Sequence, residues 1–546
     1  MPQIIMNSSE PRPENTSDGF DLRPQAVEEW IASLPLADVS ETCGLVFNSL
    51  AEMNTKEIAP QQRFKVLELF RGPIQYLSDA LKRHFVGASF PLSVKANRAA
   101  SLLYGLHQET TKGYQCITDE LLSVDNLRQD FVLLTASLHR ALYYHGESLL
   151  TTYQVYRPVA RGLWSNIHQT YQAAERKGLQ ASTVKDPHQP RNRETTIEAQ
   201  YKQILLLAMA NPNHLPQADI ALVYAHLAHW ATQCRLYPAV HFDEPRSDSI
   251  VNLESDSPPS YVEYCRDPQY SACRLLDTSG LIHVLRRLLP QSTPEIPKPS
   301  PESGGQWTPE LRKELLLNLI KAWGATSKRG FSRSKGDLET VELVFGLSTS
   351  HHILNDLSPM AGETAGTISF NQRQASRSDG KGAASKSRST ANIAMVYHCE
   401  ILNESADGAC LKWKNADVSK VRVGELLTIR RNPNDKHLHG IAVVRWLKTL
   451  NDNTVEFGIQ LIVPEAVPAA IRHYDEEDSE REYLKILYLP ELKAIRQPAS
   501  LIVPAFLYRA DDIVSLKMDQ DEHHLQLEKV IESNPIFSRF QFSTVT

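Results

Sequence analysis

The chain has 546 residues, a formal net charge of −6, and 42% hydrophobic and 22% charged residues. This length allows about two to four domains of about 100–200 residues each, and the composition is ordinary for a soluble globular protein. The charge balance gives no reason to expect a nucleic acid or a membrane surface as the partner.

The cysteines and the N-terminus favour a cytoplasmic protein. The seven cysteines are scattered and odd in number, and no Cys-x-x-Cys pair occurs, which favours free thiols and disfavours a zinc ribbon. Residues Met1–Asp18 are polar and lack the apolar core of a signal peptide, so we expect a disordered tail over residues 1–20. No apolar run approaches the roughly 20 residues of a spanning helix, and we expect no membrane insertion.

Helical periodicity dominates the first half of the chain. Apolar residues recur at spacings of three and four in stripes such as Cys43–Met53 and Phe131–Leu142, and Gly72–Pro73 is expected to break a third stripe. Such amphipathic helices need partners for their apolar faces. We therefore predict an all-α domain over residues 21–290.

A linker and one further helix follow this domain. Residues 291–306 are rich in Pro, Ser and Gly, which is typical of a linker. Thr308–Pro309 then offers a cap and a first-turn proline, and the stripe from Leu311 to Trp323 predicts a connecting helix over residues 307–324.

From Thr340 onward the apolar pattern changes from helical to alternating. The strand candidates are Val341–Leu347, Met395–Trp413, Leu426–Arg430, Ile441–Leu447 and Val455–Val463. Short strands at this spacing predict a small closed barrel, which we assign to residues 325–470. Within it, residues 358–392 are low in apolar residues and are expected to be a disordered insertion.

A second set of alternating segments lies at the C-terminus, over residues 484–546. Its strand candidates are Leu501–Tyr508, Ile513–Met518, Leu525–Ile531 and Phe537–Phe542. This β region is either an extension of the barrel or a small domain of its own. The predicted fold class is therefore multidomain α + β, with an all-α N-terminal domain, a small β-barrel and a C-terminal β region.

The turn Asn403–Gly408 is the most informative stretch of the chain. Its short polar residues turn the chain between two alternating runs, and Gly408 permits backbone angles or close approaches that a Cβ would block. Taken alone, these residues fit an ordinary hairpin turn equally well. Asn-x-Ser-x-x-Gly between two strands also resembles the signature of the PilZ family, receptors for the second messenger cyclic di-GMP.

The resemblance extends beyond this turn. Val443–Trp446 followed by Val455–Gly458 is similar to the family's late hairpin, and the similarity covers roughly residues 325–465. The helical N-terminal half and the C-terminal β region resemble the layout of long bacterial PilZ-domain proteins. The resemblance implies a small barrel and cyclic di-GMP as the ligand, with no catalytic residue, metal or cofactor.

The family also uses an Arg-x-x-x-Arg segment before the first barrel strand. Arginine suits this role because its rigid fork pairs with guanine and with phosphate. Arg329 and Arg333 precede the strand Val341–Leu347, whereas Arg373 and Arg377 lie closer in sequence to Asn403 but are followed by no strand. We choose Arg329 and Arg333 and keep the second pair as the alternative.

The predicted binding site therefore consists of five residues, Arg329, Arg333, Asn403, Ser405 and Gly408. The resemblance implies a non-enzymatic receptor that controls motility, pili or biofilm through an unidentified protein partner of the helical domain. The alternative is a PilZ-like barrel without ligand that acts as a protein-interaction scaffold.

Other chemistries find less support. No nucleophile elbow or phosphate loop occurs. His351–His352 and His523–His524 are neighbours, and neighbouring residues of a strand point to opposite faces, which disfavours a shared metal ion. The basic loop Arg373–Arg388 lacks interleaved aromatic residues, so nucleic acid is not expected as a partner.

Overall fold

The structure is a computed structural model whose contacts divide the chain into two compact units. It describes residues 20–123, 130–188, 194–239, 249–261, 270–289, 312–324, 334–335, 339–356, 396–405, 407–414, 420–431, 440–451, 453–474, 482–518 and 521–545. The first unit comprises residues 1–88, 93–212 and 220–281, and the second comprises 89–92, 213–219 and 282–546. In the described ranges, no helix is long and apolar enough to cross a membrane.

Helices form most of the N-terminal half, as predicted. They are α1 Pro24–Ala32, α2 Val39–Met53, α3 Pro60–Lys82, α4 Val94–Ser123, α5 Phe131–Gln154, α6 Leu163–Arg176, α7 Ile197–Met209, α8 Gln217–Trp230 and α9 Ser279–Leu288. The α2 stripe is fully buried at Cys43, Val46, Leu50 and Met53, which confirms that these apolar faces form the core.

The predicted break at Gly72–Pro73 was wrong, because α3 continues through Pro73. Proline removes one helical hydrogen bond. Buried side chains on both sides of it, Phe70 and Ile74, keep the helix packed against the core.

Short strands accompany these helices. They are β1 Thr183–Lys185, β2 Glu194–Thr196, β3 Arg235–Pro238, β4 Ser249–Asn252, β5 Ser260–Tyr261 and β6 Cys273–Asp277. β1 pairs with β2, and the other four form a sheet in the order β3-β6-β4-β5. The helical region therefore also contains a small sheet. Strands of two to five residues are too short for their alternation to be distinguished from loop sequence.

The connecting helix, α10, covers Lys313–Trp323 and buries Leu315, Leu319 and Trp323, as its stripe predicts. Thr308–Pro309 and the linker 291–306 lie outside the described residues.

The first barrel follows α10. Its elements are β7 Ser334–Lys335, β8 Thr340–Phe345, α11 Leu347–Asp356, β9 Tyr397–Ser405, β10 Gly408–Trp413, β11 Leu426–Arg430, β12 Gly440–Asn451 and β13 Thr454–Val463. Six strands close in the order β8-β9-β10-β13-β12-β11 and back to β8, all antiparallel, which confirms the predicted barrel. Helix α11 was not predicted, and the insertion 358–392 lies outside the described residues.

The C-terminal β region is a closed barrel of its own. Its strands are β14 Val467–His473, β15 Leu484–Leu489, β16 Ser500–Pro504, β17 Ile513–Met518, β18 Asp521–Ser533 and β19 Phe537–Thr544. They close in the order β14-β15-β16-β19-β18-β17. Counted along the chain, the first, second, third, sixth, fifth and fourth strands succeed one another in both barrels, so the two barrels share one topology.

The two barrels of the second unit share a hydrophobic core. From the first barrel and α11 it takes Leu347, Leu426, Ile441 and Val443, and from the second barrel Leu487, Leu489, Ile502 and Phe537. The outer face of β11 and β12 is therefore covered by the second barrel.

Candidate functional site

The structure brings Asn403, Ser405 and Gly408 together on the hairpin of β9 and β10. Ser405 pairs with Gly408, and this pair closes the hairpin, since two residues of the chain separate them. Ser405 Oγ lies 2.8 Å from Asp407 Oδ1 and 3.3 Å from the carbonyl oxygen of Gly408. Because a hydroxyl donates one hydrogen and accepts two, its lone pairs remain available to N–H donors of a ligand.

Gly408 is required by a close approach of two backbones. A Cβ on this residue would lie 2.1 Å from the carbonyl oxygen of Ile459 on β13. No such contact is tolerated, so any side chain here would push β10 away from β13. The predicted role of Gly408 in permitting a close approach agrees with this geometry.

Asn403 lies half-buried two residues before Ser405, on the same face of β9. It pairs with Cys410 of β10 on one side and with Lys335 of β7 on the other. Among the described residues its side-chain amide has no hydrogen-bond partner. Both its donor and its acceptor can therefore serve a ligand.

The short strand β7 connects this hairpin to the preferred arginine pair. Ser334 pairs with Glu404, and Lys335 pairs with Asn403, so β7 extends the line of β8 along β9. Ser334 directly follows Arg333 in the chain. Arg329 and Arg333 themselves, and the alternative pair Arg373 and Arg377, lie outside the described residues.

A row of paired residues crosses the outer face of the barrel at the motif. Ser405 pairs with Gly408, Gly408 with Gln460, Gln460 with Val443, and Val443 with Leu426. Side chains of directly paired residues lie on the same face. Since Val443 and Leu426 belong to the shared core, the row runs from the half-buried motif to the second barrel.

Trp446 covers a second, parallel row. Asn403 pairs with Cys410, Cys410 with Gly458, and Gly458 with Trp446. A Cβ on Gly458 would lie 1.9 Å from Trp446 Nε1, so the indole lies directly over this glycine. The half-exposed ring forms an aromatic surface in the row that holds Asn403.

Two guanidinium groups near the motif were not identified from the sequence. Arg431 Nη2 lies 2.5 Å from Glu404 Oε2, within the motif itself. Arg445 Nε donates to Gln460 Oε1 at 2.8 Å, and its two terminal nitrogens pair with Glu532 of β18 at 2.5 and 3.0 Å. Burial alone would lower the pKa of Arg445, but the hydrogen bonds and charge of Glu532 outweigh burial and raise it.

The histidine pairs do not form a metal site in the described parts of the chain, where no cluster of three metal-ligating side chains occurs. His351–His352 lies in α11, so the assumption that this pair lies on a strand was wrong. His351 is buried against the carbonyl oxygen of Ala469 at 3.1 Å, and burial lowers its pKa to about 4. His523–His524 lies on β18, as assumed.

Three consecutive family models match the chain. The N-terminal domain of "Cyclic-di-GMP receptor FimW" matches residues 25–239, its middle PilZ domain matches 249–361 and 358–468, and the FimW C-terminal beta-barrel domain matches 469–545. The family is named for a receptor and not for an enzyme class.

One curated relative is similar over almost the whole length. The protein named "Cyclic-di-GMP receptor FimW" from Pseudomonas aeruginosa is 26% identical over 580 residues, an alignment that covers 99% of this chain and 93% of the relative. No solved structure matches the chain.

Proposed function

Because the chain belongs to the FimW family of PilZ-domain proteins, we propose that it is a receptor for cyclic di-GMP and not an enzyme. The ligand lies over the β9–β10 hairpin, where Asn403 and Ser405 offer hydrogen bonds and Gly408 leaves the surface open. Guanine and phosphate are gripped by Arg329 and Arg333. No cofactor takes part.

The observation that carries this proposal is the pairing of β7 with β9. Ser334 lies opposite Glu404, and Arg333 directly precedes Ser334 in the chain. This connectivity supports the choice of Arg329 and Arg333, because the chain continues directly from Arg333 into the strand that pairs with the motif.

The ligand acts on the segment between α10 and β7. Helix α10 ends at Trp323 and β7 begins at Ser334, and the arginine pair lies between them. A ligand that binds both the arginines and the hairpin restrains this segment and changes how α10 is connected to the barrel. It shifts the protein only if it binds one arrangement more tightly than the other.

The family resemblance also supports a proposal for the output of the receptor. A cytoplasmic receptor of this type transmits the level of cyclic di-GMP to motility, pilus or biofilm control, through a protein partner that the helical half recruits. The rival function, a scaffold that no longer binds ligand, is an outcome of the same experiment.

The experiment is a calorimetric titration of cyclic di-GMP into the wild type and the variants Arg333→Ala, Arg377→Ala and Ser405→Ala. Loss of one bidentate arginine contact costs about 1–3 kcal/mol, so Arg333→Ala should weaken binding about five- to 150-fold. Arg377→Ala is the matched control and should bind like the wild type. If the wild type gives no heat, the scaffold function replaces the receptor; if only Arg377→Ala loses affinity, the arginine pair is the other one.

A further inference from the structure

Arg445 connects the motif to the second barrel. Its Nε donates to Gln460, the residue directly opposite Gly408, and its terminal nitrogens form a two-bond fork with Glu532. The hydrogen bonds therefore run from the strand beside the motif to β18. The Arg445 guanidinium is thus hydrogen-bonded to side chains of both barrels.

The guanidinium keeps capacity for another anion. Arginine carries five N–H donors, and three of those of Arg445 are engaged by Gln460 and Glu532. About a third of its side-chain surface is exposed, compared with 11% for Glu532. The solvent-facing side of Arg445 is thus accessible, while its carboxylate partner is the more buried group.

Carboxylates outnumber guanidinium groups in this cluster. Glu314 of α10 lies close enough to Glu532 and Arg445 to be affected by both charges, but makes no ion pair among the described residues. Arg312 is paired with Asp219. Burial, and next the charge of Glu532, raise the pKa of Glu314. Two carboxylates therefore lie near the one guanidinium of Arg445, and of these two Glu532 is the one that pairs with it.

The geometry brings a ligand at the motif within reach of Arg445. Neighbouring strands are about 4.8 Å apart, and a cyclic dinucleotide is wider than one such spacing. A ligand over Ser405 and Gly408 therefore extends over Gln460 of the next strand. Gln460 Oε1 accepts a hydrogen bond from Arg445, so the ligand extends toward the Arg445 guanidinium.

We propose that Arg445 binds a phosphate of the cyclic dinucleotide, and that Glu532 of the second barrel competes with the ligand for this guanidinium. The inference rests on the proposed function, since it assigns a further ligand-binding residue to the same site. A phosphate takes the same two-bond fork that Glu532 now occupies. Ligand binding thereby weakens the charged contact between β12 and β18 and couples the ligand site to the second barrel.

The test is a titration of cyclic di-GMP into the full chain and three variants. Glu532→Gln should bind about two- to fivefold more tightly, because the competing charge is removed while the shape of the side chain is kept. Arg445→Lys keeps a charge but not the fork and should bind at least about fivefold more weakly. The double variant should bind like Arg445→Lys alone, because without the Arg445 guanidinium Glu532 no longer competes with the ligand for it.

The controls separate binding from folding. Glu175→Gln removes the carboxylate from a similar fork with Arg274 in the first unit and should leave affinity unchanged. Thermal unfolding without ligand shows whether each variant is folded. A wild type that binds and a folded Glu532→Gln that binds no more tightly would overturn the inference and leave the proposed function intact. A wild type that does not bind overturns both.

Discussion

Gly408 shows how one missing side chain shapes the site. Gly408→Ala would force its Cβ against the carbonyl oxygen of Ile459, so β10 must move away from β13. We expect a loss of about 1–3 kcal/mol in the free energy of unfolding, as for other overpacked positions, together with weaker binding of cyclic di-GMP. Urea unfolding and calorimetry measure the two effects.

The matched control for this substitution is Gly44→Ala. Gly44 lies within α2, and a Cβ there meets nothing within 4 Å. Alanine is favoured over glycine inside a helix by about 1 kcal/mol, so this variant should be slightly more stable. Equal stability of the two variants would contradict the close approach at Gly408.

A buried ion cluster makes Asp186 important for the helical unit. Asp186 is fully buried and pairs with Arg71 at 2.8 Å and with Arg140 at 3.1 Å. Burial alone would raise the pKa of Asp186, but the Arg71 hydrogen bond and the Arg140 charge outweigh burial and lower it. Asp186→Asn leaves two buried guanidinium groups short of a counter-charge and should cost about 3–5 kcal/mol of unfolding free energy.

Chemical unfolding at pH 7 measures this loss. Glu194→Gln is the control, because the Lys185–Glu194 pair is exposed and its loss should cost less than about 1 kcal/mol. The contribution of Asp186 is present above the unfolded pKa of about 3.9 and is lost as the pH falls through its lower folded value. A cost for Asp186→Asn as small as that of the control would contradict the cluster's role.

At the scale of elements, α4 and α5 carry three buried histidines that stay neutral in the folded chain. Burial lowers the pKa values of His107 and His139 to about 3 and that of His145 to about 4, from an ordinary 6.5. The unfolded chain takes up these protons near pH 6.5. Stability is therefore full above this pH and decreases as the pH falls toward 4.

We expect each of these histidines to cost up to about 2 kcal/mol of unfolding free energy at pH 5 relative to pH 7. Urea unfolding of the wild type and of His145→Gln at both values measures it, and the variant should show a smaller difference. His84→Gln alters an exposed histidine of the same unit and should behave like the wild type. An unchanged pH dependence in His145→Gln would refute this explanation.

The long elements could be predicted because their apolar periods are strong. In α2 and α10, and in strands β9 to β13, apolar residues recur several times at the spacing that places them on one buried face. Strands β14 and β15 were missed, since β14 contains Pro468 and has only Ala469 and Ile471 buried. Helix α11 was missed although Leu347 and Leu354 lie seven residues apart.

The candidate site was predictable only in its local part. The hairpin Asn403–Gly408 is one continuous motif, so sequence alone suggests it. Arg431 meets Glu404 across 27 residues, and Arg445 meets Glu532 across 87 residues. No local sequence pattern predicts such pairs, because they depend on the order of the strands and on the packing of one barrel on the other.

At the scale of the molecule, one barrel topology occurs twice, but the motif occurs once. Between its second and third strands the first barrel carries Asn403–Gly408. The corresponding connection of the second barrel is the segment Pro490–Ala499, which contains neither a serine nor a glycine. The second barrel therefore shares the topology of the first and contributes Glu532 of β18, but it does not contain a second copy of the site.

We therefore expect a single class of cyclic di-GMP sites, located in the first barrel. The wild type should show one class of sites in the titration, and the double variant Arg333→Ala with Ser405→Ala should weaken all of the binding, because the second barrel carries no such motif. Arg496→Ala is the control: this exposed arginine in the corresponding connection of the second barrel has no ion pair among the described residues, and its loss should leave affinity unchanged. A second class of sites in the wild type, or lost binding in Arg496→Ala, would assign ligand contacts to the second barrel and show that the duplicated topology retains the function as well as the fold.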